Sequence, residues 1–257
     1  MPTTLLTGSA SGIGAATRKA LETAGHRVIG VDLQQADICG DLSQASGRQA
    51  VLQQALQLCN GVLDGLVLCA GLGPQVQPPS KAVSVNFFGV TELLDGLLPA
   101  LQKGQHAAAV VVSSVASAQL GWAHNPLAAA LQAGDEAQAG QIVDGAGDKG
   151  GQLAYAGSKN AVTVAVRQRA TTWGQAGIRL NTVAPGAVET PLLQAGLHDA
   201  RYAQAIKNFV APLGRRADPS EIAAAVAFLL SPQASFIHGT QLFVDGGMDA
   251  MVRPTQF

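Results

Sequence analysis

Charged residues are scarce in this sequence. Only 13% of the 257 residues are charged, 16 basic residues nearly balance 17 acidic ones, and the formal net charge is -1. A protein that binds the phosphate backbone of nucleic acid needs a dense stripe of lysine and arginine, and the sequence has none. These features argue against nucleic-acid binding and favour a small neutral or anionic ligand.

Long apolar runs and paired cysteines are also missing. No run approaches the roughly 20 residues of a membrane span, and the N-terminus lacks the basic and apolar regions of a secretory signal. Three cysteines without C-x-x-C spacing lie in or beside apolar stretches, namely Cys39, Cys59 and Cys69. The five histidines show neither metal-like nor triad spacing. We therefore expect buried free thiols, no metal, no membrane contact and a cytoplasmic location.

Apolar segments alternate with segments of helical character along the chain. Hydrophobic residues make up 47% of the sequence, and 30 glycines suit a compact interior with many tight turns. Six short strands are predicted at residues 4–7, 27–32, 66–70, 107–113, 178–183 and 241–245. Five helices are predicted at residues 13–24, 44–58, 81–101, 153–173 and 219–230. This alternation predicts one α/β domain over residues 1–257, a doubly wound parallel sheet with ligands at the carboxyl ends of its strands.

Two segments depart from the alternation. Only eight residues separate Asp32 from Asp41, too few for a helical crossover, which predicts a short third strand without a preceding helix. Residues 117–152, rich in alanine, glutamine and glycine, are interpreted as an inserted helical segment. We call these residues the insert. Its central stretch, residues 125–143, begins with Asn125 and Pro126, which are typical of a helix start.

A glycine motif lies between the first predicted strand and the first predicted helix. Residues 7–14 read TGSASGIG, with the spacing G-x-x-x-G-x-G. Glycines here allow the backbone to approach a pyrophosphate, which the N-terminus of the helix then receives. A plain strand-to-helix turn is the alternative interpretation. The motif predicts a dinucleotide site.

Asp32 ends the second predicted strand, 18 residues after Gly14. A carboxylate in this place can accept hydrogen bonds from the hydroxyl groups of an adenosine ribose. It would repel a 2'-phosphate, and residues 33–35 supply no lysine or arginine to offset the repulsion. We therefore expect NAD rather than NADP, although an aspartate can also simply end a strand at a turn.

Tyr155 and Lys159 are four residues apart in a segment that otherwise begins an apolar helix. Their spacing places the phenol and the ammonium group on one helix face. Alone the pair is weak evidence, because a lysine beside a partly buried tyrosine is common on surface helices.

Together, the glycine motif, Ser114 and the Tyr155/Lys159 pair resemble the short-chain dehydrogenase/reductase family over essentially the whole chain. Asn86 and the segment NTVAPG at residues 181–186 extend the resemblance. The missing third-strand helix, the insert and the segment after Gly186 look most similar to the bacterial 3α-hydroxysteroid dehydrogenase/carbonyl reductase branch of the family. Two features depart from the family pattern: Cys69 replaces the usual asparagine before Ala70, and Tyr155 follows Ser114 at a distance of 41 positions.

The resemblance implies a Rossmann fold and roles for particular residues. The implied catalytic residues are Ser114, Tyr155, Lys159 and Asn86. Besides Tyr155 and Lys159, the implied cofactor-binding residues are Gly8, Ser11, Gly12, Ile13, Gly14, Asp32, Asp41, Leu42, Ala70, Gly71, Pro185, Gly186, Val188 and Thr190. Substrate contact is expected from Ser114, Tyr155, Leu192 and Leu193.

These residues suit interconversion of a secondary alcohol and a ketone. No side chain carries a hydride, so a nicotinamide must supply it. Tyr155 is expected to exchange the proton, with its pKa lowered by Lys159 and the nicotinamide ring, while Ser114 donates a hydrogen bond to the substrate oxygen. Ser113 should face away, since adjacent strand residues point to opposite faces. Asn86 is implied to anchor a water molecule that contacts Lys159.

Residues 188–212 are predicted to form an apolar substrate lid, which suits a steroid-like substrate reacting at its 3-hydroxyl or 3-oxo group. A reductase for a 3-oxoacyl thioester or a polyol is the alternative, followed by a non-catalytic dinucleotide sensor.

Family members commonly pair through the helix bearing Tyr155 and the helix before it. Because the insert could cover that surface, we expect a homodimer that uses a different face.

Overall fold

Seven parallel strands form one sheet in the computed structural model, which describes residues 1–256. The strands are β1 (Thr3–Thr7), β2 (Arg27–Asp32), β3 (Ile38–Cys39), β4 (Gly65–Leu68), β5 (Ala108–Val112), β6 (Arg179–Pro185) and β7 (Gln241–Val244). They lie in the order β3-β2-β1-β4-β5-β6-β7, and every neighbouring pair is parallel. The order reverses direction beside β1, so the sheet is doubly wound, as predicted.

Helices cover both faces of the sheet. They are α1 (Gly12–Thr23), α2 (Ala45–Leu58), α3 (Ser80–Val83), α4 (Gly89–Leu101), α5 (Ala128–Ala133), α6 (Glu136–Asp144), α7 (Gly150–Gln175), α8 (Pro191–Leu197), α9 (Ala203–Asn208), α10 (Pro219–Leu230) and α11 (Met248–Val252). The predicted helix at residues 81–101 is interrupted by a π-helical turn at Ser84–Phe88.

The strands are apolar because both faces of the sheet are buried. Leu66 and Leu68 of β4 belong to one buried cluster, with residues of α4 and α7, whereas Val67 belongs to a second cluster with residues of α1 and α10. Adjacent strand residues point to opposite faces, so a continuous apolar run supplies both clusters. The predicted strands and crossovers agree with the structure, including a β3 of two residues that follows β2 without a helix.

The insert folds as two short helices, α5 and α6, separated by a left-handed Gly134. The prediction that the first helix begins at Asn125 and Pro126 is wrong, because α5 begins at Ala128. The Asn125 side chain instead accepts a hydrogen bond from the Leu127 amide and donates to Gly157 of α7. The Asn125 side chain, which local preference assigns to a helix start, thus makes a tertiary hydrogen bond to α7.

The cysteines do not all behave as expected. Cys59 is buried and Cys69 is partly buried, but Cys39 is exposed, so the prediction of three buried thiols is wrong for Cys39. Cys39 lies on the two-residue edge strand β3, where an outward-facing side chain meets solvent. All three are free thiols.

Within residues 1–256, no helix has the length and apolar character needed to cross a membrane.

Candidate active site

A cavity of about 330 Å³ lies at the carboxyl ends of the strands. It brings together the loop after β1, the ends of β2, β4, β5 and β6, helix α7, and the start of α8. Every residue predicted for cofactor or substrate contact lines it, and among the predicted catalytic residues only Asn86 does not. The roles assigned to these residues stay predictions, but the sequence motifs do converge on one cleft.

The loop between β1 and α1 is shaped by glycines that admit no side chain. Gly8 has a φ of +72°, and a Cβ atom there would lie 2.8 Å from the Ala70 amide nitrogen. A Cβ atom on Gly14 would overlap the Gly8 carbonyl. Ser11, the N-cap residue of α1, makes no side-chain capping bond, which leaves the first-turn amides of α1 without that partner. This end of the cavity therefore suits an anionic group.

Asp32 lies at the end of β2, and both of its carboxylate oxygens accept hydrogen bonds from backbone amides. Its Oδ2 accepts a hydrogen bond from the Ala10 amide at 2.9 Å, and its Oδ1 accepts one from the Leu33 amide at 2.7 Å. Each carboxylate oxygen can accept a further hydrogen bond, so the group remains available to a ligand hydroxyl. Asp32 is thus held in place by backbone groups while it lines the cavity.

The predicted proton-transfer residues meet at the opposite end of the cavity. Tyr155 and Lys159 project from α7, and Ser114 caps the short 3-10 turn after β5. Ser113 also lines the cavity, but its hydroxyl donates to the Lys159 carbonyl and bonds to Thr163. The choice of Ser114 over Ser113 stays a prediction. Lys159 is only 4% exposed, and its Nζ donates to the Val112 carbonyl at 2.8 Å.

Burial dominates the proton affinities of these groups. It raises the pKa of the Tyr155 phenol, against a lowering by the Ser114 hydroxyl. It lowers the pKa of Lys159 to about 8. The expected lowering of the Tyr155 pKa by Lys159 is not found: burial has the larger effect and raises this pKa, and only the Ser114 hydroxyl acts to lower it. The contribution expected from a nicotinamide ring stays a prediction.

Asn86 lies behind the cavity, in the π-helical turn, and is fully buried. Its Oδ1 accepts from the Leu72 amide at 2.8 Å, and its Nδ2 donates to the Leu72 carbonyl at 3.0 Å and to Ser158 at 3.3 Å. A Cβ atom placed on Gly71 would lie 3.2 Å from Asn86 Oδ1 and 3.3 Å from Lys159 Nζ, so both groups approach Gly71. Asn86 therefore supports the wall beside Lys159 rather than lining the cavity.

Several cavity residues escaped the sequence analysis. Lys81 adds a cation near Asp41, where it lowers the pKa of that carboxyl group in addition to the larger effect of Ser43. Cys69 lines the cavity as a neutral thiol, since burial raises its pKa to about 12. No local pattern marks Lys81, because its approach depends on how α3 packs. The departure from asparagine at position 69 was the one available signal for Cys69.

No group of three or more histidine, cysteine, aspartate or glutamate side chains in residues 1–256 is arranged to hold a metal ion. Two of the five histidines have clear hydrogen-bonding partners in other parts of the protein. His26 bonds to Thr4, and His238 bridges the Leu180 amide and the Ala170 carbonyl.

Known proteins match the chain over nearly its whole length. A family model described as short chain dehydrogenase matches residues 2–134, and one described as Enoyl-(Acyl carrier protein) reductase matches residues 140–249. The 3-alpha-hydroxysteroid dehydrogenase/carbonyl reductase of Comamonas testosteroni is 61% identical over 253 residues, 98% of each chain.

Solved structures show the same likeness. The 3-alpha-hydroxysteroid dehydrogenase from Pseudomonas sp. B-0831, complexed with NADH, has a TM-score of 0.96 and 55% identity, covering 99% of this chain and 100% of that one. The 3-ketoacyl-(acyl-carrier-protein) reductase from Brucella melitensis, also complexed with NADH, has a TM-score of 0.71 and 27% identity, covering 96% and 98%. The chain described here is an oxidoreductase that belongs to the short-chain dehydrogenase/reductase family.

Proposed function

We propose that the protein interconverts the 3-hydroxyl and 3-oxo groups of steroids with NAD(H), and also reduces other apolar ketones. One observation carries the proposal: the glycine loop, Asp32 and the Ser114, Tyr155 and Lys159 side chains all line one cavity. The high identity to the Comamonas and Pseudomonas hydroxysteroid dehydrogenases supports the substrate class.

The cavity suits a dinucleotide along its length. The glycine loop and the first turn of α1 would receive the pyrophosphate, and Asp32 would accept from the adenosine ribose hydroxyls. Asp41 and Leu42 would flank the adenine, Ala70 and Gly71 would approach through their backbone, and Lys159 would hold the nicotinamide ribose. Residues around β6 and its following loop would surround the nicotinamide, namely Pro185, Gly186, Val188 and Thr190. When bound, the nicotinamide exchanges a hydride with the substrate carbon.

Side chains of the protein transfer the proton and stabilise the charge on the substrate oxygen. In ketone reduction, the Tyr155 phenol donates its proton to the substrate oxygen, and in alcohol oxidation the phenolate takes it back. Ser114 donates a hydrogen bond to that oxygen as negative charge develops on it. The positive charge of the Lys159 ammonium would favour the phenolate form of Tyr155. Asn86 would hold a water molecule beside Lys159 that leads to solvent.

The lid, residues 188–212, favours an apolar substrate. Leu192 and Leu193 of α8 line the cavity, and Leu192 is 38% exposed. A steroid is rigid and mostly hydrocarbon, so covering exposed leucine with it is favourable by roughly 0.8 kcal/mol per buried methylene. The lid therefore selects for size and apolarity, while Tyr155 and Ser114 locate the reacting oxygen.

A substrate panel tests this proposal. Purified protein would be assayed by nicotinamide absorbance with 3-hydroxysteroids, aromatic ketones, 3-oxoacyl thioesters and polyols, each with NAD(H) and NADP(H). Turnover of 3-hydroxysteroids and 3-oxosteroids with NAD(H) is the expected result. Turnover of thioesters or polyols without turnover of steroids would replace the proposed substrate, and binding of NADH without any turnover would favour a sensor.

We also infer a homodimer that uses the outer face of β7 and α10. The insert helices α5 and α6 pack against α7 and so occupy part of the surface by which family members commonly pair. At the other end of the sheet, β7 is an unpaired edge strand, and beside it Phe228 is 42% exposed and Phe236 is fully exposed. Exposed aromatic residues beside a free sheet edge favour association with a second copy. Light scattering should give the mass of two chains, and a single chain after Phe236→Glu; a tetramer mass would contradict this face.

We infer a cytoplasmic location from the three thiols. Cys39 is exposed and unpaired, which suits a reducing compartment, where such a thiol stays reduced. Fractionation of cells that express the protein should recover NADH-dependent activity with the cytoplasmic fraction, and recovery from the periplasm would contradict the inference.

A further inference from the structure

Arg48 of α2 is a buried charge that the proposed chemistry does not use. Its side chain is 1% exposed, which makes it one of the largest fully buried side chains in the described part of the chain. An isolated guanidinium in such a place would be strongly unfavourable, so its partners must hold it there. Those partners come from segments far apart in the sequence.

Two carboxylates pair with the guanidinium. Glu136, the first residue of α6 in the insert, accepts a forked pair of hydrogen bonds, at 3.2 Å from Nη1 and 2.6 Å from Nη2. The Nε of Arg48 lies 2.9 Å from Oε1 of Glu92 in α4. The planar fork of arginine matches this bidentate geometry, which a lysine cannot reproduce. Arg48 therefore ties the insert to α2 and α4, in addition to the packing of α6 on α3 and α7.

The same guanidinium reaches the adenine side of the cavity. Nη1 of Arg48 donates to the Leu42 carbonyl at 3.2 Å, and Leu42 lines the cavity next to Asp41. Arg48 also lies over the ring of Phe88, 5.9 Å from its centroid, in the π-helical turn that carries Asn86. A shift of Arg48 would therefore release a backbone carbonyl of the cavity wall and a contact of the turn beside it.

We infer that Arg48 is a positioning residue that couples the insert to the adenine side of the cofactor cavity, so that anchoring of the insert through Glu136 strengthens NADH binding. The inference rests on the proposed function, which assigns NADH to this cavity. Coupling between two sites is reciprocal, so bound NADH must in turn stabilise the anchored position of the insert. A purely structural role for Arg48 predicts no such effect of NADH on α6.

Glu136→Gln is the direct test, because it removes the charge and one acceptor of a partly exposed side chain and leaves α6 intact. We expect Kd for NADH and for AMP to rise about fivefold, at the lower end of typical coupling between sites. Kd for nicotinamide mononucleotide and kcat at saturating NADH should stay unchanged. Arg48→Lys, which keeps the charge but loses the fork, should behave in the same way.

Hydrogen exchange supplies the second readout. In the wild type, NADH and AMP should each slow amide exchange in α6, and in Glu136→Gln this protection should be lost. Asp95→Asn is the matched control, since Asp95, like Glu136, is a carboxylate that accepts a forked pair of hydrogen bonds from an arginine, in this case Arg169 and not Arg48. It should match the wild type in both measurements.

Two outcomes would overturn the inference alone: an NADH affinity of Glu136→Gln within twofold of the wild type, or equal protection of α6 by NADH in both proteins. A wild-type protein that does not bind NADH would overturn the proposed function together with this inference. If Glu136→Gln does not fold, the same two measurements on Arg48→Lys decide the question.

Discussion

The glycine loop and the lid form two walls of one cavity, and they are built in opposite ways. The loop is a backbone surface: Gly8 and Gly14 pack so closely against neighbouring backbone that no side chain fits. The lid consists of the short helices α8 and α9, and its apolar residues Leu192 and Val210 are 38% and 50% exposed. In the proposed function, the cofactor would therefore meet a wall of fixed backbone, whereas the substrate would meet partly exposed side chains.

Gly14→Ala is expected to have the largest effect on the loop. Its methyl group would overlap the Gly8 carbonyl, and a backbone atom in a packed turn cannot move aside freely. NADH affinity should fall at least about tenfold, and the free energy of unfolding by about 1–3 kcal/mol, a typical value for overpacking. Fluorescence titration and urea denaturation measure the two quantities. Gly121→Ala, in the insert, is the control and should leave NADH affinity unchanged.

Asp32→Asn tests whether Asp32 makes the cavity prefer NADH to NADPH. The amide keeps the shape of the side chain but removes the charge that would repel a 2'-phosphate. The ratio of Kd for NADPH to Kd for NADH should fall about tenfold, which corresponds to roughly 1.4 kcal/mol. Asp95→Asn should leave the ratio as it is. An unchanged ratio in Asp32→Asn would assign the selectivity to another residue, with Lys81 and Asp41 the first to examine.

Leu192→Ala tests the lid. Removing about three carbons from a partly exposed contact should weaken steroid binding by roughly 1 kcal/mol, and so raise KM for the steroid about fivefold. Kd for NADH should not change, because the loop holds the cofactor. Leu213→Ala is the matched control, since Leu213 is 70% exposed and does not line the cavity. A loss of NADH affinity in Leu192→Ala as large as the rise in KM for the steroid would contradict the division between the two walls.

The smallest effect is a pH dependence of stability from Lys159, which lies between the two walls. Its pKa is 10.5 in the free side chain and about 8 in the folded protein. Between these values the unfolded chain binds a proton that the folded protein has released, so stability rises with pH. Above pH 9 the raised pKa of Cys69 acts in the opposite direction.

The informative window for this effect is therefore pH 8 to 9. The free energy of unfolding should rise by about 1 kcal/mol across it. Denaturation curves of the wild type and of Lys159→Met measure the rise, which the variant should lack. Lys103→Met, at an exposed position, should retain it. A rise of equal size in both variants would assign the titration to a different group.

Sequence patterns predict the framework well because its signals are local. The strands, the glycine loop and the i, i+4 spacing of Tyr155 and Lys159 each follow from residues close together in the chain. The cavity residues taken from family motifs also meet in one place. Sequence reasoning fails where distant segments compete. Asn125, predicted to start a helix, donates a hydrogen bond to the Gly157 carbonyl. Lys159, predicted to act on Tyr155, donates a hydrogen bond to the Val112 carbonyl.

Arg48 shows the same limit most clearly. In the sequence it is one cation in an ordinary amphipathic helix, and only tertiary packing brings Leu42, Glu92 and Glu136 around it. Lys81 likewise reaches the cavity only through the placement of α3. Charges whose partners are 40 to 90 residues away leave no periodic or spacing signal in a single sequence.

The central claim is that Tyr155 exchanges the proton while the glycine loop and Asp32 hold the cofactor. Tyr155→Phe tests it most directly, because the variant loses only the phenolic hydroxyl. With a 3-oxosteroid and NADH, kcat should fall by about 10²- to 10⁴-fold, the usual contribution of a general acid, while Kd for NADH stays within about twofold of the wild type. Turnover at the wild-type rate in Tyr155→Phe would contradict the account.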